Sequence, residues 1–456
     1  MNKKDLIKKA ALITPSKKQL EWQNNELSAL VFFGLNTYVP LGNGHGYEVA
    51  GRFNPSRFDA DSWCNTLKSG HFNTLILTCK YNDGFCLWPS EYTDYSVKYA
   101  DWKDGNGDMV KEVSEACRRH GMKFGVYLSL LDKHERSHGK GKPYDEFFKN
   151  QLTELLSDYG KIDCVWLDDT LPIGQRGQNY DIEGYIDIIR KLQPDAVISK
   201  CGPDIRWGGN ELGVTRPSEF SVLPDVFLKP KYRETDLDLG SIKKLAKAEK
   251  LVWYPAEFFM HMRASRYYNA DENEKLTPLH KLVTTYIKTV GGNASLVLGV
   301  SPDAYGLFSQ IDAENISLFG KQIDKIFKKN YAEKSITEAD TEKDANHSAD
   351  KINDKNDNTY WHSGDCNGKI NIKLTLANPS PINYIVLAEN TATGQQIEKF
   401  TVRVRQNNNK YKKIYSGTTI GHKKIIPLDK SIISSEILLT IEKTRCFATL
   451  SKFEVY

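Results

Sequence analysis

The sequence lacks the patterns that announce most cofactor chemistry. None of its eight cysteines forms a CxxC pair, which removes the zinc-knuckle and thioredoxin signatures. No GxGxxG follows a first strand, and GxxxxGK(S/T) and GxSxG are absent, so dinucleotide, P-loop and nucleophile-elbow readings have no support. No stretch approaches the ~18 apolar residues of a membrane helix, which argues against membrane insertion. Charge of one sign is also missing. The 62 basic and 58 acidic residues leave +4, too weak and too dispersed for nucleic acid or an anionic membrane. The N-terminus, MNKKDLIKKAALITPS, is basic like a signal peptide but has no sustained apolar stretch. It fits a cytoplasmic chain, and equally a periplasmic or secreted one whose signal has been removed.

What is present is length and apolar content. The 456 residues exceed one ordinary domain, and 40% hydrophobic with 11% aromatic content can fill a large core and still furnish a ligand site. Over the first two-thirds, β-branched runs alternate with amphipathic segments. The strand candidates are 29–36, 74–81, 123–130, 164–169, 196–202, 220–224, 251–257 and 295–302. Near-continuous apolar strands separated by helices indicate a parallel sheet covered on both faces, and eight such units predict an α/β fold, a closed (β/α)₈ barrel. From 329 to 358 the chain turns polar and reads as a linker and the loop-rich opening of a new domain. Short alternating strands follow, the pattern of an antiparallel β-sandwich. The predicted division is a barrel over 1–328 and a sandwich over 329–456.

A barrel of this kind works at the C-terminal ends of its strands. The polar residues there are Asn36 and Tyr38; Lys80, Tyr81, Asn82 and Asp83; Ser129 and Asp132; Asp168 and Asp169; Lys200; Glu257; and Asp303, with Trp88, Trp166, Trp207 and Trp253 nearby. Carboxylates, amides and aromatics without a histidine or cysteine cluster suit a sugar, which offers hydroxyls to the first and C–H faces to the last. Asp83 and His134 have no metal-ligand spacing, so no metal is predicted.

Several runs resemble the α-L-fucosidases of glycoside hydrolase family 29. They are ITPSKKQLEWQ, FFGLNTY, FNPSRFDADSW, ILTCKYNDGFCLWPSEYTDYSV, GMKFGVYLS, QLTELLSDYG, VWLDD, GPDIRWGGNELG and WYPAE, across residues 13–320. The resemblance implies a retaining exo-glycosidase acting on α-L-fucosides, and the GPDIRWGGNELG run points to the branch preferring branched, internally linked ones. It places the nucleophile on Asp168 and the acid/base on Glu211, with no cofactor. The implied substrate-binding set is Asn36, Tyr38, Glu48, Tyr81, Asn82, Trp88, Tyr127, Trp166, Glu257 and Arg263. Each has a plainer alternative: Asp168 a loop cap with Asp169 as fallback, Glu211 a solvated loop group, Arg263 a surface ion pair, Trp88 a packing residue.

The departures gather at the sugar pocket. Phe32 stands for a family histidine, Tyr81 and Asn82 for a histidine pair, and Glu48-Val49-Ala50 for Glu-Trp-Gly. Phe259 stands where an aspartate is common and Arg266 where a tryptophan is. Each unmatched polar group costs on the order of 1–3 kcal/mol. The expected substrate is therefore a fucosylated glycan or a close analogue such as an α-L-galactoside; the alternative is a catalytically weak sugar-binding protein. Residues 356–365, NDNTYWHSGD, resemble the opening of discoidin-like (factor 5/8 type C) modules, which often bind carbohydrate. Asp357, Asn358 and Thr359 read as a calcium loop or a simple turn.

Overall fold

The computed structural model describes residues 3–39, 44–168, 177–200, 202–228, 238–356, 358–365, 368–406 and 408–456. Eight parallel strands form a nearly closed barrel: β1 (Leu27–Val31), β2 (Thr74–Lys80), β3 (Lys123–Ser129), β4 (Cys164–Asp168), β5 (Val197–Lys200), β6 (Arg206–Trp207), β7 (Ala256–His261) and β8 (Ala294–Val300). Their hydrogen-bonded order is β5-β4-β3-β2-β1-β8-β7-β6. The amides of Asp204 and Ile205 bring the last strand back to the first through the Ile198 carbonyl, at 3.3 Å each.

The helices form where capping and apolar spacing agree. The helix Ala60–Ser69 starts at Asp59, whose carboxylate accepts from the Ser62 amide, and Met109–Arg119 starts likewise at Asp108. Each turns its apolar stripe to the barrel: Trp63, Cys64 and Leu67 on one, Met109, Val110, Val113 and Cys117 on the other. A second, smaller core fills the barrel itself, with Leu30, Phe32, Ile76, Tyr127, Trp166, Phe259 and Val297. The six described cysteines are free, and five of them are buried, as small core residues are.

Two expectations need correction. The sixth barrel strand is Arg206–Trp207, and the seventh begins at Ala256. The apolar runs read as those strands pair antiparallel with each other outside the barrel, Val222–Pro224 against Leu251–Trp253. Their apolar residues serve a satellite core with Leu6 and Ala10 of the first helix. The polar stretch read as a linker also contains a strand, Ile336–Ala339 (β9), which pairs with β10 (Ile370–Ala388). A strand with one solvated face needs few large apolar residues.

The C-terminal region is an antiparallel sheet in the order β9-β10-β13-β11-β12, where β11 is Ile397–Arg405, β12 Tyr411–Gly417 and β13 Lys424–Thr444. Its own core includes Trp361, Ile372, Phe400, Val402, Leu439 and Phe453. It docks on the barrel through directed contacts. The His422 amide donates to Asn293 Oδ1 at 2.7 Å, Gln396 Nε2 to the Ala11 carbonyl at 2.8 Å, and the Ser221 amide to Gln395 Oε1 at 2.8 Å. Lys423 pairs with Glu26.

Candidate active site

The site lies at the C-terminal ends of the barrel strands. Asp168 ends β4, and the apolar residues before it, Cys164 to Leu167, anchor its backbone in the wall. The Tyr127 hydroxyl, one strand over, donates to Asp168 Oδ2 at 2.5 Å, and Lys200 Nζ at the end of β5 lies 3.8 Å from Oδ1. Lys200 has φ +66°, uncommon for a residue with a side chain, and its ammonium rests 3.7 Å from the Trp207 ring centre. Among the described residues, a neutral donor and a cation thus hold the nucleophile candidate.

The floor is aromatic. The Phe32 ring lies 5.5–6.2 Å from the rings of Tyr81, Tyr127, Phe259, His261 and Tyr267. These rings offer faces and edges to sugar C–H groups, but Phe32 offers no hydrogen bond. Burial pushes the Tyr81 hydroxyl up to about 12, with Arg266 opposing and Asp168, Glu211 and Asp83 adding to the rise. Both catalytic candidates, Asp168 and Glu211, therefore sit within electrostatic reach of Tyr81.

Glu211 stands on the loop after β6, with its side chain 45% exposed. Arg266 Nη2 donates to both its oxygens, at 2.7 and 3.0 Å, and His261 Nε2 lies 3.4 Å away. The hydrogen bond to His261, against the opposing effect of burial, and the Arg266 guanidinium bring its pKa down to about 2. Glu257 is the opposite case. It is fully buried on β7, accepts from the Ser199 hydroxyl, and has no hydrogen-bond partner for Oε2 among the described residues. Burial drives its pKa up to about 8, with Lys200 opposing, so it is a neutral acid at pH 7.

Other members of the expected set are engaged by neighbouring residues. Trp88 is buried in the barrel–helix core and donates to Glu154 at 2.9 Å, so it packs and does not line a mouth. Arg263 is buried, and its guanidinium is taken by Asp312, at 2.8 and 3.1 Å, and by Asn269 and Asn273. Glu48 accepts from the amides of His45, Gly46 and Tyr47 and from the Tyr95 hydroxyl, which makes it the staple of its own loop. Tyr38 donates to the Ala304 carbonyl at 2.8 Å and packs on Phe33 and Phe53. Asn82 Oδ1 accepts from Ser129 at 2.5 Å. Asn36 is buried and accepts from the Gly44 amide. Trp166 is an interior ring, 6.4 Å from Tyr127 and 6.2 Å from Phe259. Asp169, the fallback nucleophile, and Asp357 lie outside the described residues. Asn358 and Thr359 close a turn on Asn356 and Asp354. Among the described residues no group of three His, Cys, Asp or Glu is disposed to hold a metal.

His261 and Tyr267 were not among the expected site residues. The period of β7 carries the signal for the first: Glu257, Phe259 and His261 alternate onto the inner face.

The family model described as alpha-L-fucosidase matches residues 14–326, and the F5/8 type C domain model matches 335–452. The chain is 32% identical to Alpha-L-fucosidase 1 of Arabidopsis thaliana, over 97% of this chain and 87% of that one. The chain belongs to the alpha-L-fucosidase family. It is thus a glycoside hydrolase, and no helix among the described residues is long and apolar enough to cross a membrane. Solved structures of similar shape include a family 29 glycoside hydrolase from an unknown rumen bacterium, 30% identical with TM-score 0.81 over 97% of this chain and 77% of that one. Another is a Ruminococcus gnavus family 29 fucosidase in complex with fucose, 26% identical with TM-score 0.87 over 97% and 95%.

Proposed function

We propose that this protein is a retaining exo-glycosidase acting on α-L-fucosides or a close analogue, with Asp168 as nucleophile and Glu211 as acid/base. The observation that carries the reading is Asp168 at the end of β4, gripped by Tyr127, with Asp168 and Glu211 both within electrostatic reach of Tyr81. Asp168 attacks the anomeric carbon as the glycosidic C–O bond breaks, and the leaving oxygen takes the Glu211 proton. Water then attacks the glycosyl ester, returns a proton to Glu211 and frees Asp168. Tyr127 and Lys200 orient the nucleophile, while the aromatic floor receives the sugar ring. Glu257, neutral and buried, donates to or accepts from a hydroxyl without competing as a second anion.

Asp168→Ala should abolish hydrolysis of an accepted aryl glycoside, and azide or formate should partly restore turnover to Asp168→Gly on an activated substrate. Full activity in Asp168→Ala ends the reading. The Glu211–Arg266 pair favours a second one, a catalytically weak sugar binder. Calorimetry that finds binding with no turnover across fucosides and L-galactosides selects it. Catalysis is assigned to residues 1–328, and the module over 329–456 is assigned as a glycan holder. Retention of the Asp168→Ala chain on an insoluble fucosylated polysaccharide at saturating free fucose checks the latter; free passage excludes it.

A further inference from the structure

Glu211 is engaged before any substrate arrives. Its carboxylate takes two hydrogen bonds from one guanidinium nitrogen and lies beside the His261 imidazole. An acid catalyst must carry a proton, and this one is held ionised far below neutral pH. His261 and Arg266 both hold it there, and for Glu211 to act the two hydrogen bonds from Arg266 have to let go. A neutral sugar hydroxyl does not draw a guanidinium from a carboxylate, because it offers a lone pair without a charge, and charge-assisted bonds are about twice as strong. A group that competes on equal terms is another anion. The ion pair is open to such a group, since the Arg266 and Glu211 side chains are 41% and 45% exposed. The other polar groups near the ring cluster, Glu257 and the Tyr81 and Tyr267 hydroxyls, carry no positive charge with which to hold an anion, and Phe32 neither donates nor accepts. The second cation, Lys200, already faces Asp168.

We propose that Arg266 determines the substrate class: it takes an anionic substituent of the sugar, a carboxylate or a sulfate ester, and so releases Glu211 to serve as the acid. This inference rests on the glycosidase reading above. When Arg266 turns to the substituent, Glu211 gains one proton from solvent. That proton passes to the leaving oxygen as Asp168 bonds to the anomeric carbon, and the attacking water restores it in the second step.

Calorimetry on Asp168→Ala tests recognition apart from turnover. The probes are methyl α-L-fucoside, methyl α-L-galactoside, its C6 carboxylate (the galactosiduronate) and a 3-O-sulfated methyl α-L-fucoside. At least one anionic probe should bind about tenfold or more tighter than its neutral parent. Adding Arg266→Met or Arg266→Gln should erase the preference, and whichever probe shows it identifies carboxylate or sulfate as the source. Equal or weaker binding of both anions, or a preference that survives in a folded Arg266 variant, overturns the proposal. Turnover of the matching 4-nitrophenyl glycosides separates the two readings. Arg266→Met should slow the anionic substrate and speed the neutral one. Anion preference with no hydrolysis of any probe sinks the glycosidase, whereas hydrolysis of the neutral fucoside with no anion preference sinks only the role of Arg266.

Discussion

Two arginines three positions apart show how differently the wall and the mouth of this barrel use the same chemistry. Arg263 and Asp312 are 1% and 0% exposed, and Arg263 is also bound by Asn269 and Asn273 and stacked 4.4 Å from the Tyr268 ring centre. Nothing in that arrangement can be exchanged without leaving a buried charge. Arg266 and Glu211 are half exposed and joined through one guanidinium nitrogen. The first pair is fixed by burial; the second is a contact a ligand can replace.

The comparison can be broken by measurement. Arg263→Ala should cost about 3–5 kcal/mol, because it strands the Asp312 carboxylate in the core; a thermal or denaturant melt reads this, and a loss as small as that of Arg266→Met would erase the distinction. The next effect is one of pH. The pKa of Glu257 is raised in the fold, so its contribution to stability is full below about 4.5 and is lost as pH rises through about 8. Glu257→Gln should remove that loss, gaining on the wild type by about 4 kcal/mol between pH 4.5 and 8. Parallel stability curves for the two proteins would contradict a neutral Glu257. The smallest effect is on Arg266→Met, which should alter stability by less than ~1 kcal/mol, as exposed ion pairs do. Glu211, whose pKa is depressed, contributes stability above about 4.5 that fades as pH falls through about 2, so any loss in Arg266→Met should disappear in acid.

The barrel was legible because long buried strands such as β2 and β8 are nearly unbroken apolar runs. Its sixth strand was not, because two residues, Arg206 and Trp207, carry no periodicity, and the more apolar 220–224 took its place in the reading. The C-terminal sheet was legible from alternation in β10, β11 and β13, and its first strand was hidden by polar residues on an open face. At the site, resemblance locates a residue along the chain but not the direction of its side chain. Trp88 and Arg263 fall near the mouth in sequence yet turn into the core, where Glu154 and Asp312 meet them. Arg266 reads as a lost tryptophan until its contact with Glu211 is seen.

The docking face of the C-terminal sheet has a consequence for polymers. Glu26 and Asn293, which receive Lys423 and His422, immediately precede β1 and β8, so the sheet sits under the strand starts while Asp168 sits above a strand end. At ~3.3 Å per residue, the seven residues of β8 set these levels about 20 Å apart. A chain moored below can reach Asp168 only by looping around the barrel. If the lower module holds glycan as proposed, it works as an anchor that raises the local concentration of branch ends, and the trimming falls on whichever tips swing up to the rim.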